Sequence, residues 1–385
     1  MIPNKNVYLD YAATTPVDPR VIAKMLPYFS EVFGNPSSVH FYGQQAEAAL
    51  EHARKIIADA IQARQDEIIF TGCGTESDNL AVRGVALARR KEQGTSQILI
   101  SPVEHYAVSH TANQLADEFG FKVDYLPVDK YGRVDPADVE AYLQPNTALV
   151  SVVYANNEIG SINPISEIGK VCRKHNVPFH TDAVQGAAYL LMNVTRDQVD
   201  LLSICGHKLY GPKGVGALYV RHGQTIHPVQ TGGKQEIGIR AGTHNVPNIV
   251  GMAEALLLAQ VELSERTRKL TEIRDYLIKN VLEKIPECHL TGHPSIRLPN
   301  HASFVFGGVD GNHLLMMLDM AGFSCSSGSA CKSGSPKPSD ILLAIGIPLN
   351  WALGSLRVTL GLDTTMEQID SFLQVLPKLV EKAKK

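Results

Sequence analysis

Residues 148–185 read ALVSVVYANNEIGSINPISEIGKVCRKHNVPFHTDAVQ. The apolar run over 148–154 shows no polar alternation, as in a strand covered on both faces. Residues 166–174 carry a helical pattern, and a second strand-like run over 178–182 ends on Asp182. Strand, helix and strand in so short a span predict a right-handed crossover between parallel strands. Working outward, further strands are predicted at 67–71, 97–101, 122–127, 201–205 and 215–220, with a helix over 75–90. This alternation predicts an α/β domain with a mainly parallel sheet covered by helices. From 251 to 285 the pattern becomes one long helical stretch that begins apolar, turns charged and stops at Pro286. Beyond it, a strand at 303–306, a helix at 312–321, a strand at 355–359 and a helical stretch at 366–384 predict a smaller α+β unit. Pro377 should kink that last stretch. The expected division is an N-terminal arm (1–20) packing with the small domain, a large domain (21–255), and a connecting helix with the small domain (256–385).

Lys+Arg of 36 against Asp+Glu of 39 gives a net charge of -3, which argues against nucleic-acid binding by bulk positive charge. The most apolar stretches, such as 255–261, fall far short of the ~20 residues that span a bilayer. The first residues lack a basic segment followed by an apolar run and a cleavage site. Six cysteines without a C-x-x-C pair suit a reducing compartment and offer no standard zinc spacing. The expectation is a cytoplasmic enzyme without direct nucleic-acid or membrane contacts.

In open parallel sheets, ligands bind at the carboxyl ends of the strands. After 67–71 comes GCGTESDNL, where Gly72 and Gly74 permit a tight turn. The helix start at Thr75 offers free N–H groups to phosphate, or else Thr75 simply caps the helix. After 178–182, Asp182 and then Gln185 follow; a carboxylate there can pair with a cationic ring nitrogen or cap a helix. After 201–205 comes GHKLYGPKGVGALYV, with Lys208 beside His207. A lysine at a sheet mouth suits a Schiff-base amine, while Lys213 competes from inside a Gly-Pro turn. His105 and Asn157 follow two other strands and could face a flat ring. Anion site, carboxylate and amine together make the parts list of a pyridoxal phosphate site.

The segment CSSGSACKSGSPKPSD (325–340) surrounds Cys331 with serines and glycines, a composition that predicts an exposed, mobile loop. Lys332 beside it favours the thiolate, whereas Cys325 ends an apolar stretch and should be buried and inert. Arg357, inside a predicted strand, requires a carboxylate partner, either internal or from a substrate.

LDYAATTP, GNPSS, TGCGTESDNLA, ANNEIG, HTDAVQ, GHKLYGPKGVGALYV, RAGTHN and SSGSAC occur in this order from about Tyr8 to Gly361. The set resembles the cysteine desulfurases of the NifS/IscS type. The resemblance implies the aspartate-aminotransferase-like fold of pyridoxal phosphate enzymes and a homodimer. It implies pyridoxal 5'-phosphate held as a Schiff base on Lys208, with Asp182 on the ring nitrogen. Gln185 and Asn157 would bond the phenolic side, and His105 would stack on the ring. Gly74, Thr75, Cys205, Gly206 and His207 would line the phosphate cup, with Thr243 arriving from the other subunit. Arg357, helped by Asn35, would grip the carboxylate of L-cysteine. Cys331 would take the sulfur as a persulfide, leaving L-alanine, and pass it to an acceptor such as an iron–sulfur scaffold protein; Cys331 could also ligate a transient cluster. Cys205 stands where some relatives carry Ser, and Lys332 and Lys337 make the loop more basic than in many. The rival readings are a selenocysteine lyase or a sulfide-releasing C–S lyase on the same fold, and a non-catalytic scaffold.

Overall fold

The computed structural model describes residues 6–328 and 337–384. Twelve strands run in chain order as β1 (Val7–Tyr8), β2 (Ile68–Thr71), β3 (Gln97–Ile100), β4 (Lys122–Tyr125), β5 (Thr147–Ser151), β6 (Phe179–Asp182), β7 (Leu201–Cys205), β8 (Gly216–Val220), β9 (Cys288–Leu290), β10 (His301–Phe306), β11 (Phe323–Ser324) and β12 (Ser355–Thr359). Seven of them make one sheet in the order β2-β8-β7-β6-β5-β3-β4. The pairs from β7 through β6, β5 and β3 to β4 are parallel, while β8 runs antiparallel to both β7 and β2. The mainly parallel sheet predicted from the sequence is therefore present, and each of its strands falls on a predicted one.

The lack of alternation in these strands has its cause in the layers. Successive residues point to opposite faces, and both faces are buried. Ile69, Ile98, Leu149, Leu201 and Leu218 pack into one apolar cluster with the helix Gly74–Gln93. Their neighbours Phe70, Leu99, Val150, Leu202 and Tyr219 pack into another, with the helix Phe41–Ile61.

A second sheet, β12-β10-β9, is antiparallel. Two short contacts tie the chain start to the later residues: β1 pairs in parallel with β11, and Asp10 bridges to Thr359 at the end of β12. They bring residues 10–15 over the turn that follows β7, where Thr15 donates from both its N–H and its Oγ1 to the His207 carbonyl at 3.0 Å.

Two sequence expectations are corrected. The stretch 251–285 is two helices, Val246–Val261 and Leu263–Lys284, bent by 72° at Glu262. The first packs its buried residues, among them Ile249, Met252, Leu256 and Ala259, chiefly against Phe41–Ile61, and the second packs an amphipathic face against the C-terminal helix. The Glu262 carboxylate at the corner accepts from Arg20 and Arg266. Pro377 does not interrupt the helix Met366–Lys382. Burial of Ile369, Phe372, Leu373, Leu376 and Val380 along one face outweighs the cost of about 3 kcal/mol for an interior proline. No single helix among the described residues is long and apolar enough to cross a membrane.

Phe304 lies fully buried at the centre of β10, paired on one side with Leu356 and on the other with Leu290. Phe304→Ala should destabilise the fold by about 3–5 kcal/mol, read as a lowered urea midpoint. A midpoint unchanged from the wild type would show that this sheet does not share the cooperative core.

Candidate active site

The carboxyl ends of β2, β6 and β7 open on one cavity of about 290 Å³. Gly74, Thr75, His105, Asn157, Asp182, Gln185, Cys205, His207, Lys208 and Arg357 all line it. Gly206 is buried between two lining residues. Lys213 is exposed and absent from the lining, so of the two lysines only Lys208 reaches this cavity. Asn35 is exposed and stands outside the cavity, its side chain accepting from the Ser37 N–H at 3.0 Å. Thr243 is exposed and likewise absent from the lining. Cys331 and Lys332 lie outside the described residues, and Lys337 is exposed.

At the β2 end the helix begins at Gly74, so Cys73, not Thr75, is its N-cap, and the Cys73 side chain makes no capping hydrogen bond. The first-turn N–H groups are thus available to an anion, aided by the helix dipole. A Cβ on Gly74 would come within 2.9 Å of Val184 and 3.5 Å of Cys205. Glycine keeps this corner of the cavity open. Cys205 is buried, and burial pushes its thiol up to about 12, so it can offer an S–H but not a thiolate.

At the β6 end Asp182 is buried, and its Oδ1 accepts the Val184 N–H at 2.9 Å. Burial, and then the neighbouring Asp78, push its carboxyl up to about 7. Asp78 is itself raised to about 7 by burial. Ligand atoms of Asp78, His105 and Asp182 all lie within 4.8 Å of one another. Two carboxyls this close in a buried site cannot both ionise cheaply, and a cationic ring nitrogen supplies the missing counter-charge. His105 caps the helix Tyr106–Phe119, its Nδ1 accepting the Ala107 N–H at 3.1 Å. That bond places the proton of the neutral ring on Nε2.

At the β7 end Lys208 is half-buried, and its Nζ donates to the Ala12 and Ala13 carbonyls at 2.5 Å. Burial lowers its pKa to about 8, with Arg357 adding to the fall. His207 is lowered to about 4 by burial and then by Lys208. Gln185 Nε2 also donates to the Ala12 carbonyl, at 2.9 Å.

Arg357 finds the carboxylate partner its burial requires in Asp10, with Nη2 to Oδ1 at 2.8 Å. Its Nη1 donates to the Asn157 carbonyl at 3.0 Å, while its Nε has no hydrogen-bond partner. Sequence reasoning missed Asp10, although the residue stands in LDYAATTP; its signal was the lone charge among apolar residues. Asp78 and the Ala12 and Ala13 carbonyls were missed as well, since only the fold brings them to the cavity. A larger cavity, about 810 Å³, lies between Arg54 and the 234–237 segment. Its buried carboxylate, Glu236, is already saturated by Arg54, His244 and the Phe70 N–H, so the chemistry belongs to the smaller one.

The donor set fits pyridoxal phosphate: an amine free to react near neutral pH, a buried carboxyl awaiting a cation, and uncapped N–H groups for a phosphate. In the cofactor-free protein, the rate of aldehyde capture at Lys208 should rise with pH and level off above about 8. Lysine-specific labelling followed by peptide mapping checks this, and a midpoint at the ordinary lysine value would contradict it. The cofactor-free fold should also gain stability as pH rises from about 8 toward the ordinary lysine value. In that window the unfolded chain holds a proton that folded Lys208 has lost.

The sequence profile of the aminotransferase class-V family matches residues 7–372. A protein of Dictyoglomus turgidum named cysteine desulfurase IscS is 49% identical over 98% of this chain and 95% of its own length. Its namesake in Methanosarcina thermophila is 48% identical over 98% of this chain and 93% of its own. Among solved structures, a NifS-like protein superposes with a TM-score of 0.91 at 36% identity, covering 98% of this chain and 100% of that one. A structure described as SspA in complex with cysteine gives 0.80 at 35% identity over 92% of this chain and 98% of that one. With the strand-end lysine, carboxyl and anion site in one cavity, these matches lead to one conclusion: the chain belongs to the class-V aminotransferase family and, within it, to the pyridoxal-phosphate-dependent cysteine desulfurases.

Proposed function

We propose that this protein converts L-cysteine to L-alanine and passes the sulfur through a persulfide on Cys331 to an acceptor protein, an iron–sulfur scaffold being the acceptor class expected. The observation that carries the reading is the convergence of Lys208, Asp182 and Arg357 on one cavity. Bound pyridoxal phosphate supplies an electron sink that makes the Cα proton acidic and lets the Cβ–S bond break.

The chain's own residues do the rest. Arg357 binds the cysteine carboxylate through its Nε–H, the one guanidinium nitrogen with no partner, while Asp10 and the Asn157 carbonyl hold Nη2 and Nη1. Lys208, once its amine is released, takes the Cα proton on Nζ, which its lowered pKa permits near neutral pH. Asp182 holds the ring nitrogen in its cationic form. Uncapped N–H groups at Gly74 and Thr75 anchor the phosphate. The Cys331 sulfur attacks the substrate sulfur: one Cβ–S bond breaks, one S–S bond forms, and Cβ gains the proton that completes alanine. Cys331 is the acceptor named by the SSGSAC motif.

Two copies complete the phosphate cup in this reading. Thr243 is exposed and does not line its own chain's cavity, which supports the role that the family resemblance gives it in the cavity of a second copy. Thr243→Ala should leave the protein folded but release cofactor about tenfold more readily, the loss of one hydrogen bond to a charged group. Unchanged retention on dialysis would remove Thr243 from the site.

Peptide mass analysis after incubation with L-cysteine, without reductant, tests the activity itself. The peptide bearing Cys331 should gain one sulfur atom, reversibly with thiol, with alanine formed in equal amount. Cysteine consumed while Cys331 stays unmodified would instead favour a sulfide-releasing lyase.

A further inference from the structure

His301 is a buried titratable residue to which the reaction assigns no part. It opens β10, is fully buried, and pairs in register with Thr359, two residues after Arg357. Its Nε2 lies 3.0 Å from the Asn157 carbonyl, the same oxygen that accepts Arg357 Nη1 at 3.0 Å. A carbonyl only accepts, so Nε2 carries the proton, and the partnerless Nδ1 is the bare nitrogen of a neutral ring. Burial, then Arg297 and Arg357, hold the ring well below the usual histidine range, in keeping with that tautomer.

The seat of the ring is built into the fold. A Cβ on Gly160 would come within 2.8 Å of the imidazole, so the glycine at φ +76 lets the ring lie against the 157–160 turn. Arg297 reinforces the seat by donating from Nε to the His301 carbonyl at 2.9 Å and from Nη2 to the Ile159 carbonyl at 3.2 Å. The Leu298 N–H bonds the Gly160 carbonyl at 2.9 Å. The turn that carries Asn157 is thereby fastened to the start of β10.

We propose that His301 is a positioning residue for the substrate-carboxylate subsite, fixing through its Nε2–H the carbonyl on which Arg357 is aimed. The proposal rests on the reading that Arg357 takes the cysteine carboxylate. Arg357 stands between two acceptors, the Asn157 carbonyl on Nη1 and the Asp10 carboxylate on Nη2. With the Asn157 peptide pinned by His301, the guanidinium plane is set and Nε is left for substrate. Without that donor the Asn157 carbonyl keeps only Arg357 as partner, with its peptide still held at the Glu158 N–H by Asn156 Oδ1 at 2.8 Å; Asp10 becomes the stronger pull, and Nε turns from its working direction. Of the expected cofactor contacts only Asn157 shares this turn, while those at Lys208, Asp182 and the phosphate end do not run through His301, so substrate affinity should fall more than cofactor affinity.

The test compares His301→Leu, which keeps the volume and removes the donor, with His301→Gln, whose amide can donate near the Nε2 position. In His301→Leu the KM for L-cysteine should rise about five- to tenfold with kcat little changed, the size expected for one lost hydrogen bond. The affinity for L-alanine, followed by the absorbance of the loaded enzyme, should weaken by the same factor. His301→Gln should recover most of both losses, and cofactor retention should change much less than either affinity in both variants. A folded, loaded His301→Leu enzyme with wild-type KM and alanine affinity would overturn the proposal. Loss of thermal stability without a change in either affinity would do the same, since that marks a merely structural residue. If His301→Leu does not fold, His301→Gln against the shorter His301→Asn decides in the same terms: equal alanine affinities overturn the proposal, and a weaker His301→Asn sustains it. A wild-type protein that binds alanine but consumes no cysteine would sink the desulfurase reading, while the alanine affinities of the variants would still decide the role of His301.

Discussion

The Arg357 guanidinium is where three distant parts of the chain are made to agree. It sits on β12, pairs with Asp10 from the chain start and bonds the carbonyl of Asn157 beyond β5. An arginine this buried is tolerable only with its charge matched and its N–H groups used. The pairing therefore constrains where residues 10–15 run. Once Asp10 is placed, Ala12 and Ala13 must pass over the β7 turn, and their carbonyls receive Lys208. One buried cation thus helps to fix the position of the reactive amine as well as that of the carboxylate subsite. A lysine in place of Arg357 would keep the charge but could not serve Asp10, Asn157 and a ligand in one plane.

Electrostatically the cavity is poised for guests of opposite charge. Burial moves Lys208 and His207 down and Asp78 and Asp182 up, so each group is pushed toward its neutral form. With Arg357 matched by Asp10, this push toward neutrality spares the cavity the cost of unpaired buried charge. A cation at Asp182 and an anion at the helix start restore ionisation where it is useful. The binding of such a ligand is then coupled to proton movements near neutral pH, a property of arrangement more than of any one residue.

The legibility of this fold in the sequence was uneven for physical reasons. Strands buried on both faces leave continuous apolar runs, so all seven strands of the large sheet could be read, and with them the rim where Asp182 and Lys208 stand. Periodicity carries no record of a bend between two helical stretches that both satisfy it, which is why 251–285 read as one helix. Only the packing of each half against a different partner, with Glu262 held by two arginines, shows the corner. Pro377 misled in the opposite direction, because a local penalty was weighed without the buried face that offsets it. The two-residue strands β1 and β11 fall below any periodic signal. Asp10 was hidden because its meaning lies in a contact spanning nearly the whole chain.

The cysteines show how the fold narrows the choice of sulfur carrier. Cys172, Cys205, Cys288 and Cys325 all have thiols pushed up by burial, and a protonated thiol is a poor nucleophile. Cys205, although it lines the cavity, is therefore better suited to donating an S–H than to accepting sulfur. Cys73 is exposed and also lines the cavity, but it caps the helix start that awaits a phosphate. An anion bound there would repel a thiolate through like charge, so the loaded enzyme disfavours sulfur transfer to Cys73 at the moment when transfer is possible. The burial of Cys172, Cys205, Cys288 and Cys325 thus supports the role that the motif proposes for Cys331.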